Sequence, residues 1–201
     1  MALPADLSLG LRTSPGVCMA CIRQPPPVRS MLVAVDYAYP WSALISRYKF
    51  GNCPGLAPLF AELLLNAPGV RAVLADLHPS DLIIPVPLSK QRLQTRGFNQ
   101  SWELAKALAS RSGSRARVDG TALLRIKNTQ PQTELNREAR LANVKDAFQP
   151  DPLRTTELFG RHVVLVDDVI TSGASIFTAA QALLSHGAAR VTGMVFARTP
   201  F

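Results

Sequence analysis

Two adjacent carboxylates, followed closely by a cluster of small residues, have the clearest potential for chemistry. Asp167 and Asp168 come after an apolar run at 163–166 that is typical of a buried strand, and there they can accept hydrogen bonds from vicinal hydroxyls or hold a cation. Backbone N–H groups and hydroxyls at the start of the next helix can bind an anion, helped by the helix dipole. The small residues that supply these groups are Thr171, Ser172, Gly173, Ala174 and Ser175. The pattern predicts a sugar phosphate site; the alternative is a pair of acids that only cap the following helix.

Positive charge is concentrated in one part of the sequence. The chain has 22 Lys+Arg against 14 Asp+Glu, a net charge of +8. The segment 90–127 contributes nine basic and two acidic residues, which is 9 − 2 = +7. Such a field attracts phosphate on a small molecule or along a nucleic acid, but a solvated basic face with no partner explains it equally well.

Length and composition exclude several classes of protein. With 201 residues, 47% of them hydrophobic, the chain can form one domain with its own core and is not disordered. No apolar run approaches the ~20 residues of a membrane span, so we expect no membrane insertion. The N-terminus lacks the features of a secretory signal, and three cysteines make no disulfide framework. We therefore expect a cytoplasmic protein.

Predicted strands alternate with predicted helices, which indicates an α/β fold with a parallel sheet covered on both faces. Strands are expected at 31–37, 81–86, 123–126, 161–166 and 191–197, and helices at 41–50, 58–67, 99–110 and 174–186. Segment 134–148 is predicted as a helix or a loop. Residues 1–30 are predicted to form an appendage and 31–201 the domain. Ligands bind beyond the carboxyl ends of such strands, so chemistry is expected just after Val86 and Val166.

Residues 163–175 resemble the signature with which type I phosphoribosyltransferases bind phosphoribosyl pyrophosphate (PRPP): an apolar strand, two acids, two apolar residues and T-x-G-x-[ST]. A second block at 83–100 contains I-P-V-P-L and R-G-F-N-Q, which resemble the ComF/GntX family of bacterial proteins linked to competence and DNA utilisation. Further matches include C-x-x-C-x-R-Q-P-P-P at 18–27, Lys49-Phe50-Gly51 and the closing Ala197-Arg-Thr-Pro200. The resemblance implies a Rossmann-like parallel sheet of the type I phosphoribosyltransferase fold, with a short N-terminal appendage.

The resemblance also implies roles for individual residues. Asp167 and Asp168 would contact the ribose hydroxyls, directly or through Mg²⁺ and water, and 171–175 would hold the 5′-phosphate. Pyrophosphate would lie at a loop and the basic residues after it: Pro87, Leu88, Ser89, Lys90, Arg92 and Arg96. Arg137 or Arg140, in a flexible loop at 129–148, would also reach the pyrophosphate; a solvated helix face is the alternative for both arginines. Asn99 and Gln100 could simply cap the next helix.

The implied reaction is loss of pyrophosphate from C1′ of PRPP and transfer of the phosphoribosyl group to an acceptor that the sequence does not identify. Enzymes for 6-oxopurines carry a third acid where this chain has Thr171, which argues against that substrate class. Turnover and homodimerisation stay open. The rival function is a non-catalytic module that senses PRPP or binds single-stranded DNA in DNA uptake. Trp102 and Phe98 could stack on bases there, but they fit core positions equally well.

Cys18 and Cys21 have the spacing of half a zinc site. ComF-like proteins usually begin with a ribbon that carries two such pairs, and a structural zinc ion needs four ligands. Cys53 and three histidines do not replace the missing pair at a recognisable spacing. The start codon is misplaced, the ribbon has been lost, or two chains share one zinc ion. We favour loss and do not expect zinc in this chain.

Overall fold

A parallel sheet of five strands organises the protein. The structure, a computed structural model, describes residues 25–127 and 146–200. The described chain contains seven strands: β1 (Ser30–Asp36), β2 (Leu82–Pro85), β3 (Arg117–Val118), β4 (Leu123–Arg125), β5 (Phe148–Pro150), β6 (His162–Ile170) and β7 (Arg190–Arg198). The sheet order is β1-β7-β6-β2-β3, with every neighbouring pair parallel, while β4 and β5 form a separate antiparallel pair. The predicted α/β class is confirmed.

Helices cover both faces of the sheet. The described helices are α1 (Trp41–Phe50), α2 (Ala57–Leu65), α3 (Val70–Ala75), α4 (Lys90–Arg96), α5 (Gln100–Ser112) and α6 (Ala174–Ser185), with 3-10 turns at Pro54–Leu56 and Thr155–Leu158. Alternate residues of β6 enter different cores, because successive side chains of a strand point to opposite faces. Val164 and Val166 pack with α1, α2, α3 and α5, whereas Val163 and Leu165 pack with α6.

An aromatic cluster holds α1 and α2 against the sheet. The Phe60 ring of α2 stacks on Phe196 of β7 with 4.1 Å between ring centroids, and Tyr48 of α1 meets it edge-on at 5.1 Å. All three residues are fully buried. The Tyr48 hydroxyl donates to the backbone oxygen of Gln100 at 2.6 Å, so the same cluster ties α1 to the start of α5.

The structure differs from the predicted elements at several places. The short strands β3 and β5 were not predicted. Strand β6 continues past the predicted end at 166, because its ladder with β7 extends to the pair Ile170↔Arg198. The strand expected at 123–126 belongs to the antiparallel pair rather than the parallel sheet. Helices α3 and α4 were not predicted: the first has six residues, and the second, KQRLQTR, contains one apolar residue.

Several expectations fall on residues that the structure does not describe. They concern most of the appendage at 1–30, including Cys18 and Cys21, and most of the segment 134–148. Across the part of the chain that is described, none of the helices is long and apolar enough to cross a membrane.

Asp119 anchors the connection between β3 and β4. Its side chain is 8% exposed, and its Oδ1 accepts hydrogen bonds from the backbone N–H of Thr121 at 2.9 Å and of Ala122 at 3.0 Å. Arg154, close to the second 3-10 turn, contacts its Oδ2 at 2.5 Å and also pairs with Glu157. Burial raises the pKa of Asp119, but the hydrogen bonds from Arg154, Thr121 and Ala122 outweigh it and hold the pKa far below its usual value.

This depressed pKa predicts a loss of stability in acid. Asp119 stabilises the fold fully above the pKa of an unfolded aspartate, about 4, and its contribution declines as the pH falls towards the lower pKa of the folded state. We expect Asp119→Asn to reduce the free energy of unfolding at pH 7 by about 1–3 kcal/mol and to flatten its pH dependence below pH 4. Urea unfolding at a series of pH values measures both. An equal acid dependence in Asp119→Asn and in the unaltered protein would contradict the assignment.

Candidate functional site

A cavity of about 1100 Å³ opens where β2 and β6 end. Eleven of the residues singled out in the sequence line it: Pro87, Leu88, Ser89, Arg92, Arg96, Asp167, Asp168, Thr171, Gly173, Ala174 and Ser175. Lys90 and Ser172 do not: Lys90 is the exposed first residue of α4, and the Ser172 hydroxyl accepts a hydrogen bond from Ala174 N–H at 3.4 Å. Arg137 and Arg140 lie outside the described residues. Segments far apart in sequence thus meet at one edge of the sheet.

The two carboxylates lie within β6 and have different surroundings. Asp168 is 3% exposed; its Oδ1 pairs with the Lys49 ammonium at 3.1 Å, and its Oδ2 is buried with no hydrogen-bond partner among the described residues. Asp167 Oδ1 accepts hydrogen bonds from the Ser101 hydroxyl at 2.8 Å and from the Asp168 N–H at 2.9 Å. Asp168 therefore keeps an oxygen for a ligand, while one oxygen of Asp167 is already used.

Burial and neighbouring charges shift the pKa of Asp167. Desolvation, followed by repulsion from Asp168, raises the pKa of Asp167 well above its usual range. The hydrogen bond from Ser101 and the positive charge of Lys49 oppose this shift. A cation or a set of hydroxyl donors at the pair would relieve the same repulsion, so the site is suited to a ligand of either kind.

The rest of the cavity wall is cationic. Four basic side chains line it among the described residues, against two acids: Lys49, Arg92, Arg96 and Arg125, facing Asp167 and Asp168. Burial, with a contribution from Arg92, lowers the pKa of Arg125 to about 10, which leaves it protonated at neutral pH. The lining therefore carries a net charge of 4 − 2 = +2, and in a partly desolvated cavity this favours a ligand with several negative charges.

The small-residue loop between β6 and α6 depends on the backbone of Gly173. This residue has φ +80° and directly precedes α6, a left-handed conformation that glycine adopts without steric cost. A Cβ at this position would lie 2.2 Å from Cε2 of Phe177, so the space is closed to a side chain. Thr171 and Ser175 both line the cavity. The loop can thus present its N–H groups and the hydroxyls of these two residues to a ligand there.

Gly173→Ala tests this loop. The methyl group requires either a change of backbone conformation or a displaced Phe177 ring, so we expect affinity for a sugar phosphate ligand to fall about tenfold or more and stability to fall by about 1–2 kcal/mol. Calorimetry with PRPP and thermal unfolding measure the two effects. Gly160→Ala is the matched control, because Gly160 is also left-handed (φ +72°) but has open space at Cβ and lies outside the cavity. Equal affinities for the two variants would refute a ligand at this loop.

The loop at 86–89 is held in place by helix caps. The Ser89 hydroxyl accepts from Arg92 N–H at 3.4 Å at the start of α4. Asn99 Oδ1 accepts from Ser101 N–H at 2.9 Å, and its Nδ2 donates to the Val86 oxygen at 3.2 Å. Asn99 therefore caps α5, as the sequence suggested, and also fastens the loop.

Three residues of the site were not identified from the sequence. Lys49 was part of the Lys49-Phe50-Gly51 match to the ComF/GntX family, but no role was predicted for it. Arg125 was counted only as part of the basic segment 90–127, and no motif included Ser101. Lys49 and Asp168 are 168 − 49 = 119 positions apart, and only the packing of α1 on the sheet brings them into contact. Arg125 lies on the antiparallel pair, whose position beside the cavity follows from tertiary structure.

Comparisons with known proteins found a family profile and several relatives that are similar to this chain. A family profile described as phosphoribosyl transferase domain matches residues 99–200, which include both acids and the loop after them. The DNA utilization protein YhgH of Escherichia coli O6:H1 is 37% identical over 183 residues, covering 90% of this chain and 78% of that protein. Competence protein F of Haemophilus influenzae is 35% identical over 159 residues, 79% of this chain and 68% of the relative.

Two more distant similarities complete the comparison. Competence protein ComFC of Bacillus subtilis is 31% identical over 156 residues, which cover 77% of this chain and 58% of that protein. The crystal structure of TT1426 from Thermus thermophilus aligns with 73% of this chain and 83% of that chain, at 17% identity and a TM-score of 0.37. The likeness to TT1426 is too distant to bear on function.

Proposed function

The chain belongs to the ComF family, and from this premise we propose that it binds PRPP with Mg²⁺ and transfers the phosphoribosyl group to an acceptor, releasing pyrophosphate. A role in competence or DNA utilisation, which the names of its relatives suggest, is part of the proposal. The observation that carries it is the Asp167–Asp168 pair in a cavity with a cationic wall and a small-residue loop. PRPP combines vicinal hydroxyls with two phosphate-bearing ends, and the cavity offers a counterpart for each.

Each part of PRPP has a counterpart in the lining. The ribose hydroxyls would donate to the acids, above all to the unpartnered Oδ2 of Asp168. The 5′-phosphate would lie at 171–175, where the N-terminus of α6 and the hydroxyls favour an anion. The pyrophosphate would face the loop at 86–89 with Arg92 and Arg96, whose guanidinium groups are suited to phosphate oxygens.

The acid pair also fits Mg²⁺. No group of three or more His, Cys, Asp or Glu side chains suited to a metal occurs among the described residues, so the chain offers no complete ligand set there. Mg²⁺ does not need one, because it commonly binds through one or two carboxylates together with substrate phosphates. Asp168, with its free Oδ2, and Asp167 would hold it, and the bound ion would neutralise charge on the pyrophosphate.

The protein's part in the transfer is to orient the reactants and stabilise charge. The bond between C1′ and the pyrophosphate oxygen breaks, and its electron pair leaves with pyrophosphate. A lone pair of the acceptor forms the new bond to C1′, and the proton that the acceptor loses passes to pyrophosphate or to water. Arg92 and Arg96 would stabilise the leaving charge, while the carboxylates hold the ribose as C1′ becomes electron-poor.

A second candidate function rests on the exposed basic residues outside the cavity. Lys90, Arg111 and Arg115 are exposed and form no ion pair with a described acid, which favours binding of single-stranded DNA. Of the two positions that the sequence left open for Phe98, the structure favours the core position, because its ring packs 5.8 Å from that of Tyr48. DNA binding through these residues would weaken steeply with salt and would survive loss of Asp167 and Asp168.

Calorimetric titration of PRPP, with and without Mg²⁺, tests the primary proposal. We expect binding by the unaltered protein and no measurable binding by Asp167→Asn/Asp168→Asn at the same concentrations. Asp76→Asn is the control for loss of acidic charge, because Asp76 is 77% exposed and pairs with Arg190 away from the cavity. Retained binding by the double variant, or none by the unaltered protein, would refute the PRPP site. Acceptor-dependent release of pyrophosphate would then separate an enzyme from a PRPP sensor.

A further inference from the structure

A lysine ammonium group already contacts one oxygen of the acid pair. Lys49 Nζ lies 3.1 Å from Asp168 Oδ1, and the Lys49 side chain is 20% exposed while that of Asp168 is 4% exposed. Lys49 acts on Asp167 as well, since its charge opposes the rise in pKa that burial causes there. A buried carboxylate is either paired with a cation or bound to a metal ion. Here the lysine takes the role that a metal ion would otherwise have.

The backbone on both sides of Lys49 is anchored, which holds the ammonium group at the acid pair. Tyr48 is fully buried, and its hydroxyl donates to the backbone oxygen of Gln100 at 2.6 Å. Phe50, the last residue of α1, lies under the Arg96 guanidinium, which is 5.0 Å from the ring centroid. Lys49 thus lies between two neighbours that are each fixed by a contact with another helix.

Asp168 is held equally firmly and keeps one oxygen for a ligand. It is 3% exposed, and the residues on either side of it pair with β7 in the sheet ladder. Its Oδ2 is buried without a hydrogen-bond partner among the described residues. The two oxygens of a carboxylate share one negative charge, so a divalent metal ion at Oδ2 would share that charge with the ammonium group at Oδ1 and be repelled by it. A neutral hydroxyl that donates to Oδ2 meets no such repulsion.

The charge of the whole cavity wall acts in the same direction. The described lining carries a net charge of 4 − 2 = +2, which disfavours a metal ion that enters alone. A ligand with several phosphate charges reverses this balance, because it neutralises the arginines and brings further oxygen atoms to the metal ion.

We infer that Lys49 is a built-in counter-ion of Asp168, and that it makes the binding of a divalent metal ion at the acid pair conditional on a phosphate ligand. The inference rests on the proposed function, because PRPP is the ligand that would supply the phosphate. Lys49 would thereby determine specificity: the empty site rejects free metal ions, and the metal ion binds only together with the substrate.

The test measures binding of Mn²⁺, a paramagnetic ion that prefers the same oxygen ligands as Mg²⁺, to the full chain by electron paramagnetic resonance. Measurement at about pH 8 keeps the carboxylates ionised. Lys49→Met removes the charge, and Lys49→Arg retains it. Lys106→Met is the matched control, because Lys106 also contacts a carboxylate, that of Glu103 at 2.9 Å, but lies outside the cavity. Lys49→Met/Asp168→Asn shows whether the ion binds at Asp168.

Without any phosphate ligand, we expect Lys49→Met to bind Mn²⁺ at least about tenfold more tightly than the unaltered chain does. The gain should disappear in Lys49→Met/Asp168→Asn, while Lys49→Arg and Lys106→Met should bind like the unaltered chain. A merely structural role for Lys49 predicts no gain of metal affinity. Tight binding of Mn²⁺ by the unaltered chain, or no gain in Lys49→Met, would overturn the inference.

Two further measurements keep the result unambiguous. Thermal unfolding shows whether each variant is folded, and Lys49→Gln, which also removes the charge, replaces Lys49→Met if that variant does not fold. Calorimetry of PRPP with the unaltered chain separates the two proposals. A gain of Mn²⁺ binding in Lys49→Met without PRPP binding by the unaltered chain refutes the proposed function alone. PRPP binding without that gain refutes the role of Lys49 alone.

Discussion

Asp168→Asn is expected to lower the affinity for PRPP with Mg²⁺ at least about 100-fold, which corresponds to about 2.7 kcal/mol. The carboxylate is 3% exposed, and its Oδ2 is the buried acceptor left for a ligand. The substitution also leaves the Lys49 ammonium, whose side chain is 20% exposed, opposite a neutral amide. Hydrogen bonds to charged groups contribute about 1.5–3 kcal/mol each, so loss of one or two of them accounts for this effect. Calorimetry with PRPP measures it.

Asp167→Asn is the matched comparison, with an expected loss of about tenfold. One oxygen of Asp167 already accepts hydrogen bonds from Ser101 and from the backbone, so a smaller share of its capacity is open to a ligand. Asp168→Asn should also lower the pKa of Asp167, because it removes a neighbouring negative charge that raises it. Carboxyl-carbon NMR of Asp167 as a function of pH follows that change. Equal losses for the two variants would show that the different surroundings of the acids do not govern binding.

The parts of the site that the sequence predicted are those encoded within one short segment. The apolar run before Asp167, the small residues at 171–175 and the loop at 87–89 are contiguous signals, and the parallel sheet brings their ends together. The end of β6 was predicted too early because carboxylates suggested a loop. In the structure the ladder with β7 continues past them to Ile170, which sets the two acids in different surroundings.

The parts that the sequence did not predict depend on contacts between distant segments. Lys49 lies on an amphipathic helix whose register gives no hint of an ion pair with Asp168, and Ser101 is an ordinary first-turn serine. For Phe98 the sequence left a base-stacking role and a core position open, and the structure shows the ring packed on Tyr48. Local pattern thus identified the loops that line the cavity, while the residues that set the charge of its wall required the fold.

Phe60→Ala is expected to reduce the free energy of unfolding by about 3–5 kcal/mol, a large share of the 5–15 kcal/mol typical of a domain. The ring is fully buried between Phe196 and Tyr48, so its removal leaves a cavity that the sheet on one side cannot fill. Denaturant unfolding measures the change. Phe60→Leu, which retains most of the volume, should cost much less, and Phe159→Ala, at an exposed position, should stay within about 0.5 kcal/mol.

Phe60→Ala should also affect the candidate site, because α1 connects the aromatic cluster to Asp168. Tyr48 contacts Phe60 and donates to the Gln100 backbone, and the next residue along α1 is Lys49, which pairs with Asp168. Without the Phe60 ring, Tyr48 is packed less tightly, and Lys49 is held less firmly opposite Asp168. PRPP affinity should therefore fall in Phe60→Ala even under conditions in which the protein remains folded. Phe159→Ala should bind PRPP like the unaltered chain. If Phe60→Ala lost stability but kept full affinity, the position of Lys49 would be independent of the aromatic cluster, and the link between this core and the acid pair would be wrong.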